Sequence, residues 1–495
     1  MITVDQLRPD YLERYRPQLI GGLGMLLRDG AVFTEAFQDH AVTETAPGHA
    51  TILSGRVPAH TGIIRNLAGV QDSTAPLVGV AGPGASPARF QGTALFDWLQ
   101  AAEPAARALS VSRKDRGAIL PVGRAKQTVY WYQSGIFTTS RYYADSLPGW
   151  VRAFNAQRLP FKQAGALWTP LLAPESYSEP DSEPYEHAGH DFTFPHHLPT
   201  DSAQAADTLV DVPTMDSLTL AFALAGVRAL GLGGRGATDL LAVSLSTTDA
   251  VGHLYGPDSR EIHDQVLRVD RYLGWFFGQL FVRYGPRGVM IVLTADHGVT
   301  PYPEWARAHG YRDARRVSVD SIVRAVNTQL DALAGGADWL TFDTGMLLVP
   351  DRAKLAAAGV DVDSVIGVVA KRARAVPGVA RVQRPAELVR ADTLLDAVSR
   401  RWRHQVPPDA GVELVITLRP YAIWDASVPI AMHGQPSDLD AHVPLIFWGR
   451  GIRRGVNGRR VRTVDIAPTL ARLLGVAPAE PLDGRVLAEA LPPAN

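Results

Sequence analysis

Residues 43–55 read TETAPGHATILSG, and the chain is organised around them. Thr45 stands just before Ala46-Pro47-Gly48, and a run able to form a helix follows from His49. Proline is tolerated in a first helical turn. A side-chain oxygen there faces unpaired backbone N–H groups and the positive end of the helix dipole, a good place to hold a phosphate. Taken alone, the stretch also fits an N-cap threonine on an ordinary helix. The rest of the chain decides between the two.

Working outward, three apolar runs read as buried strands that end in aspartate. Ile2-Thr3-Val4 leads to Asp5. Leu240–Leu245 delivers Ser246-Thr247-Thr248-Asp249, with His253 four residues further on. Gly288–Thr294 delivers Asp296-His297-Gly298. In open α/β sheets, ligands gather at the carboxyl ends of strands. Asp249 and His253 converge on one metal if their loop turns helical. With His433 and the Thr45 hydroxyl, these residues make a set of ligands suited to two zinc ions. Two metals roughly 4 Å apart are a standard means of in-line displacement at phosphorus.

Two further places offer groups for an anion. Asn66 closes the run Ile63-Ile64-Arg65-Asn66, read as a strand end, where it donates to an oxyanion or makes a turn. Lys114 and Arg116 lie two apart after the strand 108–112. In an extended segment both point to one side and grip one anion; a solvated charge cluster is the other reading. Lys114 is one of only five lysines among the 49 basic residues.

Composition bounds the rest. The chain has 495 residues, 46% hydrophobic and 20% charged, with a net charge of −1. That is enough for a large core plus an insertion. It gives no general affinity for nucleic acid or anionic membrane. The absence of cysteine removes disulfides, thiolate metal sites and cysteine nucleophiles, and suits an exported protein. No apolar run reaches the length of a membrane span. No signal peptide precedes Asp5, so the chain reads as a mature or trimmed form.

Helices are expected at 11–29, 92–103, 215–230, 260–283 and 463–475, and a strand at 443–448. The aromatic run 129–154 is expected to pack a wall. Residues 157–204 read as a long irregular excursion whose histidines (His187, His190, His196 and His197) are solvated rather than a metal site. Residues 306–420 alternate helices (318–334, 363–375) and strands (344–349, 412–418) and read as an inserted cap. The core is then 1–305 with 421–495, ending in a Pro-rich tail.

The stretches VDQLRPDYL (4–12), TETAPGHATILSG (43–55), HTGIIRN (60–66), SRKDRGAILPVG (112–123), STTDAVGHLYGP (246–257), TADHG (294–298), HGQPSDLDAHVPLIFWG (433–449) and VDIAPTLARLLG (464–475) resemble, in this order, the alkaline phosphatase superfamily. The resemblance is to the branch of bacterial alkaline phosphatases with a threonine nucleophile, related to the nucleotide pyrophosphatase/phosphodiesterases. It implies an α/β fold with a large, mostly parallel central sheet flanked by helices on both faces. It implies one zinc on Asp249, His253 and His433, and another on Asp5, Asp296, His297 and Thr45. His442 rivals His433, which is preferred because it opens the HG motif. Thr45 would be the nucleophile, with Asn66, Lys114 and Arg116 on the non-bridging oxygens. The expected activity is hydrolysis of small phosphate monoesters through a phosphothreonine, with weaker diesterase activity. The alternatives are a nucleotide pyrophosphatase/phosphodiesterase with the same bimetal core, and a non-catalytic metal-binding homologue. A periplasmic or secreted monomer, binding no nucleic acid, is expected.

Overall fold

The computed structural model describes residues 1–492 apart from 337, 427 and 429. The end of the Pro-rich tail and two positions of the link leading back from the insertion lie outside the described residues. A ten-stranded sheet forms the centre. Its order is Gly455–Asn457, Ala31–Phe37, His442–Gly449, Met290–Thr294, Ile2–Val4, Leu240–Leu245, Ala108–Ser112, Thr128–Gln133 and Ile136–Thr138, with Val461–Arg462 also paired to Ala31–Phe37. The middle is parallel: Ile2 is in register with Val243 on one side and Leu293 on the other. Only His442–Gly449 and Ile136–Thr138 run antiparallel to their neighbours.

The central strands are short apolar runs because both of their faces are covered. Alternate side chains of Met290–Thr294 supply the two layers. Ile291 and Leu293 join the core beneath the helices Gly22–Asp29, Thr214–Leu230 and Arg260–Tyr284. Val292 joins the core beneath Thr45–Ser54, Leu95–Ala102 and Ile466–Leu474. The aromatic run packs as a wall around Phe222, which stacks on Phe137 at 4.0 Å and is also met by Tyr130, Trp150 and Phe154.

A second hydrophobic cluster draws its residues from Val317 to Trp424. It lies between a four-stranded sheet (Thr341–Asp343, Met346–Leu348, Val412–Leu418, Val379–Gln383) and the helices Asp320–Ala334 and Val362–Arg374. The strand expected at 344–349 is thus half of a hairpin, turned by Thr344 and Gly345 at φ 43° and 84°.

Other expectations need correction. The helix expected at 11–29 is broken into Pro9–Arg14, a turn at Arg16–Gln18, and Gly22–Asp29. Pro17 lacks an N–H for a continuous helix. Gly21 approaches the backbone of Asp270 so closely that a Cβ would collide with it. The excursion 157–204 is irregular, but His196 is not solvated. It is buried, with Glu261 at 3.0 Å and the Tyr255 hydroxyl at 3.3 Å. Among the described residues no single helix is long and apolar enough to cross a membrane.

Candidate active site

The candidate residues gather at the carboxyl ends of the parallel strands. Asp5 follows Ile2–Val4 directly and its N–H donates to the Leu245 carbonyl at 2.8 Å. The segment after Leu240–Leu245 does turn helical, Thr247–Tyr255, so Asp249 and His253 sit one turn apart with Oδ1 and Nε2 3.3 Å from each other. Asp296 and His297 leave Met290–Thr294, both fully buried. His433 comes in from the other end of the chain, its Nε2 3.6 Å from Asp249 Oδ1 and 3.2 Å from His253 Nε2. Thr45 opens the helix Thr45–Ser54 and is buried. That helix packs against the Asp296 loop at Gly48, where a Cβ would strike the Asp296 backbone.

Two groups of three ligand atoms result: Asp249, His253 and His433, and Asp5, Asp296 and His297, each within 4.8 Å of one another. Each histidine has its Nδ1 beside a backbone carbonyl: His253 to Ala431 at 2.6 Å, His433 to Thr43 at 2.7 Å, His297 to Gly298 at 3.0 Å. Nδ1 is therefore the donor, and the lone pair of Nε2 faces the carboxylates. This is how proteins orient imidazole ligands to a metal. Buried acceptors are left without hydrogen-bond partners: both Asp5 oxygens, Asp296 Oδ2 and His297 Nε2. The two groups fit metal ions because Asp5 Oδ1 and His297 Nε2 face each other at 3.4 Å with no donor for either, and buried acceptors so placed are costly without a cation.

Lys114 supplies one cation. Its Nζ lies 2.7 Å from both Asp5 Oδ2 and Asp249 Oδ2, and 3.2 Å from Thr45 Oγ1. The contact to Asp5 is a close ion pair without hydrogen-bond alignment. Burial raises Asp5 above the usual carboxylate range, and Asp249 and Asp296 push it further. Burial works against Asp249 too, but Lys114 and His253 hold it well below that range. Burial lowers His297 far below an ordinary histidine, and His433 adds to this.

Not every expected residue reaches the cluster. Lys114 has an extended backbone, but Asp115–Ile119 is a short helix, so Lys114 and Arg116 do not share a side of an extended segment. The Arg116 guanidinium lies beside Asp115 at 3.5 Å. Asn66 is not at a strand end; it lies in an irregular loop. Its Oδ1 accepts from the Ala46 N–H at 2.8 Å, which leaves its NH₂ as a donor next to the Thr45 loop. His442 stays outside, stacked on Phe37 at 4.5 Å with Nε2 on the Thr34 carbonyl.

Three further residues belong to the site. Gln6, at φ 66°, donates from its backbone to Asp296 Oδ1 and from Nε2 to Asp249 Oδ1, linking the two groups. Strain of this kind collects at functional sites. His49 lies between Asp296 Oδ2 at 3.1 Å and the Ser244 hydroxyl at 2.8 Å. The half-buried Glu44 accepts from the Asn66 N–H at 2.6 Å and from the Thr344 hydroxyl at 2.7 Å, tying the second sheet's hairpin to the Thr45 loop. Gly434 makes this approach possible, since a Cβ there would strike Thr344. The adjacency of Glu44 to Thr45 was the only sequence signal for it.

The family model described as type I phosphodiesterase / nucleotide pyrophosphatase matches residues 1–325. The chain belongs to that family. It is thereby placed among the hydrolases of phosphoric esters. It is 31% identical to alkaline phosphatase PhoV of Synechococcus elongatus, covering 99% of this chain and 92% of that protein. It is 31% identical to alkaline phosphatase PhoK of Sphingomonas sp, over 98% and 90%. The crystal structure of alkaline phosphatase PafA superposes with a TM-score of 0.90 at 28% identity, covering 99% and 98%. A murine ectonucleotide pyrophosphatase / phosphodiesterase 5 shares the fold, with a TM-score of 0.54 at 14% identity.

Proposed function

We propose that this chain is a zinc-dependent alkaline phosphatase that hydrolyses small phosphate monoesters, with weaker activity on diesters. Within the family, the likeness runs to the alkaline phosphatases over the whole length, and that supports the monoester reading over a nucleotide pyrophosphatase/phosphodiesterase. The observation that carries it is the Lys114 ammonium 3.2 Å from the Thr45 hydroxyl. A monoester brings a dianion with three non-bridging oxygens, and a cation beside the nucleophile favours it over a monoanionic diester. A complete ligand set around a buried hydroxyl also argues against a non-catalytic homologue.

Asp249, His253 and His433 would hold one zinc, and Asp5, Asp296, His297 and the Thr45 oxygen the other. When bound, zinc supplies charge neutralisation and lowers the pKa of the threonine hydroxyl. Thr45 Oγ1 attacks phosphorus in line. The new P–O bond forms as the ester P–O bond breaks, and the alcohol departs. Water then hydrolyses the phosphothreonine, freeing phosphate and restoring the hydroxyl. Lys114, Asn66 and Arg116 bind the non-bridging oxygens, with Arg116 turning from Asp115 to do so. Residues 1–305 and 421–495 form the catalytic core and 306–420 the cap; the separate hydrophobic cluster drawn from Val317 to Trp424 supports that division.

The test compares p-nitrophenyl phosphate with bis-p-nitrophenyl phosphate at alkaline pH, on zinc-loaded and chelator-stripped protein. Zinc-dependent turnover with the monoester faster is expected. A faster diester would move the function to phosphodiesterase. Thr45→Ala should keep its zinc and lose at least about a thousandfold in turnover.

A further inference from the structure

A cavity of about 410 Å³ opens beside the site. Its wall includes Asn66, His253 and His433, but none of Asp5, Asp296 or His297. It therefore adjoins the Asp249 group, the one proposed to face the departing oxygen. The far wall comes from residues 317–320, 342–344 and 424–426. Phe342 and Trp424 meet edge to face at 5.0 Å and give it an aromatic surface. Four carboxylates also line it, from Glu44, Asp320, Asp343 and Asp425, and no lysine or arginine does among the described residues. Two of the four are engaged: Glu44 by Asn66 and Thr344, and Asp343 by Arg65 at 3.2 Å. Asp320 and Asp425 are exposed and have no ion-pair partner among the described residues.

We propose that this cavity receives the leaving group and selects phosphate monoesters of neutral or cationic alcohols with an apolar or aromatic body, against anionic ones. The inference rests on the phosphomonoesterase reading and adds the substrate class. Aromatic rings take an aryl group edge to face and attract a quaternary ammonium over their faces. In water, two carboxylates about 7 Å from a unit charge favour a cationic leaving group over a neutral one roughly sevenfold and over an anionic one roughly fiftyfold. The preference is screened by salt.

The experiment measures kcat/KM of the zinc-loaded enzyme for 3-(trimethylammonio)phenyl phosphate and 3-carboxyphenyl phosphate. It is done with wild type and with Asp320→Asn/Asp425→Asn, at low and high sodium chloride. Intrinsic differences between the two esters cancel when their ratio is compared across proteins and salts. The ratio in favour of the cationic ester should fall about twenty- to fiftyfold in the variant at low salt, because each carboxylate favours the cation and disfavours the anion. It should fall in the same direction in wild type as salt rises. A ratio constant within twofold in both comparisons overturns the proposal, and the salt series does not depend on the variant folding. If wild type turns over neither ester, nor phenyl phosphate, the phosphomonoesterase reading falls and the inference with it.

Discussion

His263 and His297 are both buried beside carboxylates in the same fold, yet their surroundings differ in kind. His263 has an oxygen on each ring nitrogen, Glu179 at 2.7 Å and Gln18 at 2.6 Å, and stacks on Tyr15 at 3.8 Å. Every polar atom of that ring is answered from within the chain. His297 has one nitrogen on a carbonyl and the other without a partner, turned towards Asp5 at 3.4 Å and Asp296 at 3.7 Å. A closed set of partners stabilises the fold. An open set leaves binding energy for something that is not part of the chain.

The sharpest way to break this contrast is to substitute both residues. His297→Asn should reduce bound zinc from two ions to about one and lower turnover by about a thousandfold or more. The stability of the metal-free protein should change by no more than about 1 kcal/mol, since the ring gives up a single hydrogen bond. His263→Phe keeps the stacking but strands Glu179 Oε2, leaving the carboxylate only the Tyr15 hydroxyl on Oε1. It should cost about 3 kcal/mol, read from urea unfolding, with turnover of the folded protein within about twofold of wild type. If the two variants exchanged these signatures, the distinction between open and closed sets would be wrong.

The open set was the more legible of the two in the sequence. Asp5, Asp249 and Asp296 each end an apolar run, and that local pattern places them at one edge of a parallel sheet. The His253 position followed from a four-residue spacing. What failed depended on tertiary contacts. Asn66 ends the run Ile63-Ile64-Arg65-Asn66, yet that run forms no strand, because its groups are taken up by Glu44 and Ala46. His196 looked solvated within a polar, Pro-rich stretch, but its partner Glu261 is 65 residues away. Gln6 and His49 stayed invisible for the same reason: their partners Asp249, Asp296 and Ser244 lie hundreds of residues off.

A closed set also joins the helix Ala397–Gln405 to the end of the strand Ala31–Phe37, and pH tests it. Asp39 is buried against Arg400 at 3.1 Å and His404 at 3.3 Å, both on the helix Ala397–Gln405. Burial works against its charge, but His404 and Arg400 outweigh this and hold it at about 2. The folded value lies below the ordinary 3.8, so the stabilisation is present above about pH 4 and is lost as pH falls through 4 towards 2. The shift corresponds to about 2 kcal/mol. Asp39→Asn should lose that amount at pH 7 and converge on wild type near pH 2. A gap that stays constant over this range would place the contribution of Asp39 in packing rather than charge.

Glu44 blurs the contrast and so sharpens it. Its two oxygens are both answered, by the Asn66 N–H and the Thr344 hydroxyl, which makes it a closed group. Yet one of those partners carries the amide expected to meet the substrate, and the other belongs to the hairpin that lines the cavity. Glu44→Gln exchanges one acceptor for a donor. The Thr344 hydroxyl can reverse and accept, whereas the Asn66 N–H cannot, so the amide should settle with its oxygen on Asn66 and the hydrogen bond to Asn66 should lose its charge. One charge-assisted bond reduced to a neutral one corresponds to about tenfold. We expect kcat/KM for monoesters to fall by about that factor with zinc content unchanged. A variant with lower zinc content would make Glu44 part of the metal scaffold. A variant with wild-type kinetics would show that a closed group beside an open site only holds the fold, and that the hairpin has no hold on the nucleophile loop.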